Sequence, residues 1–232
     1  MPASPPPPRT LLYYSDYSCP LSYLGKRLFD QYTEFAVFPV DREYRFFNLY
    51  GYIRSPDGDL DQSLDQSEDN YQAQLRESAI ALADRLNLGL SLHVSQEVDS
   101  WNAHQAGLYV KQEYPTPVFE AFHTAVFDAL WRSGRDISDV DVLGRIGEHV
   151  GLTATEIHDA VNDTDLHETL QIQFKQIANR RRPISPMIVY QKLASYGVTP
   201  FDDIRRLVEA GEGHPADERG AQWFRYHEYF SN

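Results

Sequence analysis

The stretch Thr10-Leu-Leu-Tyr-Tyr-Ser15-Asp-Tyr-Ser-Cys19-Pro-Leu-Ser22-Tyr-Leu-Gly25-Lys-Arg27 decides how the rest of the sequence is read. Thr10–Ser15 is a short β-branched and aromatic run that ends in polar residues, the pattern of a strand. Asp16–Pro20 is turn-like. From Leu21 the apolar residues Leu21, Leu24, Leu28 and Tyr32 recur at intervals of three and four, the period of an amphipathic helix. Pro20 suits the first turn of that helix, where its missing N–H would have had no partner. A second strand is expected within 35–47, centred on Glu43-Tyr44-Arg45-Phe46. The opening is therefore β-α-β.

This order places Cys19 between a strand and a helix N-terminus, where unpaired N–H groups and the helix dipole favour an anion. A thiolate there is expected to have a pKa below the free value of about 8.5 and to act as a nucleophile. Ser22, one turn further on, is placed to donate a hydrogen bond to it. The alternative is a buried, inert thiol, the commonest state of a free cysteine.

Outward from this segment the character changes. Leu49 to Asn70 is a Gly/Asp/Ser-rich loop, and Tyr71 to Ala178 is helical in period almost throughout. Tyr71, Leu75, Ala79, Leu82 and Leu86 form one stripe, and Trp101, Leu108 and Tyr109 a second. Phe119, Phe122, Val126, Phe127 and Leu130, with Trp131 beside them, form a third. Leu166, Leu170, Phe174 and Ile177 close the run. Thr153-Ala-Thr-Glu156 reads as a capping box, and Ser138-Asp-Val-Asp141 as a weaker helix start. Met187–Tyr190 is strand-like, with Ala194–Gly197 as its hairpin partner. Phe201–Ala210 is a last amphipathic helix, and Ala216–Asn232 an aromatic-rich end read as a short helix.

Composition narrows the functions. The chain has 232 residues, 34 acids against 21 bases, and a net charge of −13, which disfavours nucleic acid and anionic membrane surfaces as partners. Cys19 is the single cysteine, so one chain builds no internal disulfide, Cys-rich zinc site or iron–sulfur cluster. Four lysines against seventeen arginines, with twenty aspartates, suit a salt-rich cytoplasm. Residues 1–9 are a Pro-rich tail without a signal-peptide apolar stretch, and no run approaches a membrane span. The expectation is a soluble cytoplasmic protein, monomeric or homodimeric, with no metal. Asp57–Glu68 fits several positions of a calcium loop, but Gln62 stands where the sharp turn needs glycine, so it reads as an acidic surface loop.

The residues Tyr14 to Arg27 resemble the active-site segment of the DsbA superfamily, above all its cytoplasmic FrnE-like branch with its Cys-Pro-x-Cys-Tyr-Leu-Gly run. A similar Ser-Pro-x-Ser-Tyr-Leu run marks 2-hydroxychromene-2-carboxylate isomerases and kappa-class glutathione transferases. This chain keeps the first Cys and carries Ser22 in the second place. Asp99-Ser-Trp-Asn-Ala-His104, Trp131-Arg-Ser-Gly-Arg-Asp-Ile-Ser-Asp139 and Ile184-Ser185-Pro186-Met187 resemble further segments of the same family. The resemblance implies a thioredoxin-like α/β fold, 10–68 with 183–232, split by an all-helical insertion at 69–182 that lids the active site. It implies thiol-disulfide chemistry at Cys19, with Ser22 as hydrogen-bond donor, Pro20 in the motif, and Ser185 before a cis Pro186 as the substrate-docking edge.

His104 would face the cleft from the lid, and Arg180–Arg182 would either meet a carboxylate of the substrate or answer nearby acids. The Cys-x-x-Ser motif closes no internal disulfide, so the expected enzyme is a monothiol whose mixed disulfide is resolved by an outside thiol. Its substrate would be a small thiol or a cysteine-bearing peptide or protein. No tightly bound cofactor is expected, although glutathione or another low-molecular-weight thiol could serve. Two alternatives remain: a thiol-cofactor-dependent isomerase or transferase, and a redox-inactive binding or chaperone-like module, which an unactivated Cys19 would favour.

Overall fold

The structure is a computed structural model that describes residues 9–35, 40–47, 77–85, 98–178, 185–213 and 224–225. Strand β1 (Thr10–Ser15) leads through the Asp16–Ser18 turn into helix α1 (Pro20–Phe35), and β2 (Asp41–Phe46) follows. Pro20 opens α1, as its chemistry favours. The helix continues to Phe35, so the second strand is shorter than the 35–47 window suggests. Helix α2 spans 77–85. Then come α3 (Trp101–Glu113), α4 (Thr116–Trp131), α5 (Val140–His149), α6 (Ala154–Asn162) and α7 (Thr164–Ala178). Strands β3 (Met187–Tyr190) and β4 (Leu193–Tyr196), helix α8 (Phe201–Gly211) and β5 (Phe224–Arg225) complete the described chain.

The five strands form one sheet in the order β2-β1-β3-β4-β5. β1 and β2 are parallel, joined through α1, and the remaining pairs are antiparallel. Alternation along each strand divides the core. Leu11, Tyr13, Tyr44, Phe46, Ile188 and Tyr190 turn to one face, against Phe29, Tyr32, Ile204 and Leu207 of α1 and α8. Leu12, Tyr14, Met187, Val189 and Ala194 turn to the other, with Phe47 and with Ile177 of α7. In the helical block, Phe119, Phe122, Val126, Phe127, Leu130 and Trp131 are all buried, as their spacing predicts, and so are Leu166, Leu170, Phe174 and Ile177.

Several local features follow from side-chain chemistry. Thr153 Oγ1 accepts from the Glu156 amide at 3.2 Å while the Glu156 carboxylate accepts from the Thr153 amide at 2.7 Å, a complete capping box at the start of α6. At α5 the cap is Asp139, which accepts from the Asp141 amide; Ser138, the expected start, instead donates to Asp136. An ionised carboxylate makes a charge-assisted bond to an orphan N–H, stronger than a neutral hydroxyl makes. The β3–β4 turn has no glycine, and Gln191 adopts the positive φ of 53° that a two-residue hairpin demands. The expected C-terminal helix is corrected at 224–225, which pair with β4 as a strand. The tail at 1–8, the acidic loop at 57–68 and Arg180–Arg182 lie outside the described residues.

Candidate active site

The β1-to-α1 turn carries Cys19 at the mouth of α1, and the Ser185–Pro186 segment lies against it. The Ser185–Pro186 peptide is cis, and the Ser185 carbonyl lies 3.5 Å from Cys19 Sγ, which donates to it. Pro186 also packs onto α1 at Gly25. A Cβ at position 25 would lie 3.1 Å from Pro186 Cγ and 2.5 Å from the Tyr13 hydroxyl. Only a residue without a side chain permits that approach. The Tyr13 hydroxyl is held there by donating to the Ser22 carbonyl at 2.6 Å.

Beside the sulfur the Ser22 and Ser185 hydroxyls are 2.6 Å apart, and the Asp16 amide donates to both, at 3.3 and 3.0 Å. Asp16 is fully buried. Its Oδ1 accepts from the Ser18 amide at 2.9 Å, the Ser18 hydroxyl at 2.8 Å and the Ser100 hydroxyl at 2.7 Å, with His104 Nε2 at 3.2 Å. Burial by itself would raise this carboxyl. The hydrogen bond and charge of His104, the Ser18 amide and the Ser100 hydroxyl outweigh burial and hold it below the ordinary carboxylate range.

Tyr17 forms the next layer. Its ring lies between those of His104 and His123, with centroids 4.9 and 5.0 Å away. Its hydroxyl meets His123 Nδ1 at 2.6 Å, and its carbonyl accepts from Trp131 Nε1 at 2.8 Å. Burial drives the His123 pKa well below its ordinary value, with the charges of Lys26, His104 and Lys111 adding to the effect. An imidazole dried by aromatic neighbours stays neutral.

The thiol differs from the sequence expectation. Cys19 is 0 % exposed, and burial pushes its pKa up to about 11. The Asp16 charge adds to that rise, while the Ser22 hydroxyl and the Ser22 and Leu21 amides oppose it. The helix N-terminus does present N–H groups to the sulfur, but the loss of solvent outweighs them. In this closed form Cys19 is a thiol rather than a thiolate. Pro20, Ser22, His104, Ser185 and Pro186 are likewise buried. The motif residues Cys19, Ser22 and Ser185 meet around the sulfur, whereas His104 reaches Asp16. A polar groove of about 1150 Å³, lined by Lys26, Asp30, Arg42 and Glu120 among others, does not include Cys19.

Asp16 and Ser100 escaped the reading of the sequence. Nothing in sequence spacing pairs Asp16 with Ser100, 84 positions away. The one available signal is that Ser100 and His104 stand four apart at a helix start, on one face.

A family model for the DSBA-like thioredoxin domain matches residues 10–207. The chain belongs to the DSBA-like thioredoxin domain family. This DSBA-like chain is 29% identical over 163 residues to the Bacillus subtilis protein YwbO, itself uncharacterized, a match covering 69% of this chain and 74% of YwbO. Among solved structures it resembles a 2-hydroxychromene-2-carboxylate isomerase, with TM-score 0.66 and 16% identity over 88% of this chain and 94% of that one. A protein from Streptomyces coelicolor, described as a probable DsbA oxidoreductase, gives TM-score 0.61 and 17% identity over 89% and 91% of the two chains. At these identities the structural likeness establishes the fold, a thioredoxin-like α/β architecture with a helical insertion. No described helix is long and apolar enough to cross a membrane.

Proposed function

We propose that this DSBA-like protein is a single-cysteine thiol-disulfide oxidoreductase that works through a mixed disulfide at Cys19. The observation that carries the reading is the approach of Cys19 Sγ to the Ser185 carbonyl at the mouth of α1. A thiol-bearing substrate laid along the Ser185 backbone would bring its own sulfur to Cys19. Opening the site to water removes the main cause of the raised pKa and leaves the Ser22 hydroxyl and the Leu21 and Ser22 amides to stabilise the thiolate.

The exchange balances without a further oxidant. The Cys19 thiolate attacks one sulfur of a disulfide R–S–S–R′, forming Cys19–S–S–R and releasing R′–S⁻, which takes up a proton. An outside thiolate R″–S⁻ then attacks the R sulfur, forming R–S–S–R″ and returning the Cys19 thiolate. Because the chain has one cysteine, the second step must be intermolecular. The adduct should persist until that outside thiol arrives, because the chain holds no second cysteine to displace it. The substrate class is a small disulfide such as a glutathione disulfide, or a cysteine-bearing peptide. The test is glutathione-dependent reduction of hydroxyethyl disulfide. Activity is expected for the parent and abolished in Cys19→Ser; equal activity in both would refute the mechanism.

The sealed, protonated thiol favours a second reading, in which a bound small thiol is the working sulfur. The paired Ser22 and Ser185 hydroxyls, 2.6 Å apart, would then hydrogen-bond it during an isomerase- or transferase-type reaction. That reading requires a glutathione-dependent activity on an organic substrate that survives Cys19→Ser.

A further inference from the structure

Within the buried polar cluster, one residue touches each segment that forms the candidate site. The Asp16 backbone carbonyl accepts from the Cys19 amide at 3.1 Å. Its amide donates to Ser22 of α1 and Ser185 of the proline loop. Its carboxylate receives Ser18 of the cysteine turn and, across from it, Ser100 and His104 at the start of α3. Ser100 is itself buried, with its hydroxyl 3.4 Å from that of Ser18. His104 is fully buried and its Nδ1 has no described hydrogen-bond partner, so the one described hydrogen bond of its side chain is to Asp16. Leaving that nitrogen unpaired in the interior is costly, and the bond from the other ring nitrogen to Asp16 offsets part of the cost.

Helix α3 in turn packs on α4, α6 and α7. The carboxylate is therefore the polar joint between the helical insertion and the turn that carries the thiol. Separating α3 from the turn takes a buried anion away from two of its four described donors, Ser100 and His104, while the two from Ser18 stay with the turn.

We propose that Asp16 is a positioning residue for Cys19, whose buried carboxylate latches the start of α3 onto the cysteine-bearing turn and so governs how readily the thiol reacts. This rests on the thiol chemistry proposed above and adds to it the element that controls it. The latch acts in two separable ways. Its hydrogen bonds hold the insertion closed over the sulfur, and its negative charge opposes formation of a second negative charge at Cys19. Among the described contacts the carboxylate meets Ser18, Ser100 and His104, the amide meets Ser22 and Ser185, and the charge acts on Cys19. His104 and Cys19 are the titratable groups among these described partners.

The experiment follows the rate of Cys19 alkylation by iodoacetamide from pH 6 to 11 in the full-length protein, with melting curves for each variant. Asp16→Asn removes the charge while keeping the shape. It should shift the alkylation midpoint to lower pH and speed alkylation at pH 8 by about threefold or more. Ser100→Ala removes one bond of the latch but no charge. It should raise the rate at pH 8 and move the midpoint to lower pH by less than Asp16→Asn does, because opening the site relieves burial while the carboxylate charge remains. An unchanged midpoint in a folded Asp16→Asn overturns the charge role. If Asp16→Asn does not fold, Ser100→Ala still decides, since an unchanged rate there overturns the latch. Because alkylation requires no turnover, these results stand apart from the disulfide assay. A latch that behaves as stated in a protein without exchange activity would refute the proposed function alone.

Discussion

Gly25→Ala probes the packing on which the site depends. The new methyl group would meet the Tyr13 hydroxyl at 2.5 Å and Pro186 Cγ at 3.1 Å. Neither neighbour yields easily. The Tyr13 ring is fully buried and stacked on Phe29 at 4.9 Å, and its hydroxyl is tied to the Ser22 carbonyl. Pro186 has no long flexible side chain to retract. Alanine gains about 1 kcal/mol over glycine in a helix. Overpacking in a rigid site costs about 1–3 kcal/mol, and displacing the Tyr13 hydrogen bond about 1 kcal/mol more. The net expectation is a loss of about 1–3 kcal/mol, or roughly 2–12 °C in melting temperature for a chain of this size.

The assay is urea unfolding of Gly25→Ala, Tyr13→Phe and the double variant. Tyr13→Phe deletes the oxygen that the methyl meets first. The double variant should therefore be less destabilised than the sum of the two single ones by about 1 kcal/mol, as coupled neighbours are. Gly25→Ala with parental stability, or strictly additive effects in the double variant, would refute the close approach of β1, α1 and Pro186.

Two other outcomes follow from single features. Thr153→Ala should lose about 0.5–2 kcal/mol by removing the capping box of α6, measured as a shift in urea midpoint with an unchanged slope. The parent should lose stability as pH falls below about 6.5, because unfolded His123 gains a proton that the folded, depressed His123 refuses. Asp16, also depressed, contributes stability that is present above its unfolded pKa of about 3.9 and lost as pH falls through its folded value. Unfolding at pH 7.0 and 5.5 measures the His123 effect, limited to about 1.4 kcal/mol per unit for one proton. The double variant Tyr17→Phe/His123→Phe should flatten it.

The sequence made the backbone legible wherever local chemistry and periodicity agreed. Thr10–Ser15, the apolar stripe of α1, the aromatic stripe of α4 and the Thr153–Glu156 cap are all decided within a few residues of themselves. The pairing at 224–225 was hidden because an isolated aromatic run fits helix or strand until β4 supplies its edge. The two-residue hairpin was hidden for the opposite reason: Gln191 accepts a strained φ that composition gives no cause to expect.

The candidate site was legible in its parts and not in its electrostatics. Cys19, Ser22 and Ser185 come together around one sulfur, but the sign of the thiol's shift depends on burial, which no local spacing reveals. A helix N-terminus stabilises an anion only to the extent that the anion remains solvated or fully paired. Here the surrounding elements remove the solvent, and Asp16 adds a second negative charge nearby. Asp16 itself reads as a turn residue because three of its four described carboxylate contacts involve side chains, two of them from His104 of α3 and the Ser100 that precedes it.

The most direct test of the proposed chemistry is intact-mass measurement of the protein after incubation with glutathione disulfide at pH 7 and pH 10. The proposed mechanism predicts one glutathionyl group at Cys19, gained faster at pH 10, removed by reduced glutathione and absent in Cys19→Ser. A Cys19 that iodoacetamide alkylates at pH 10 but that never takes up a glutathionyl group would contradict it.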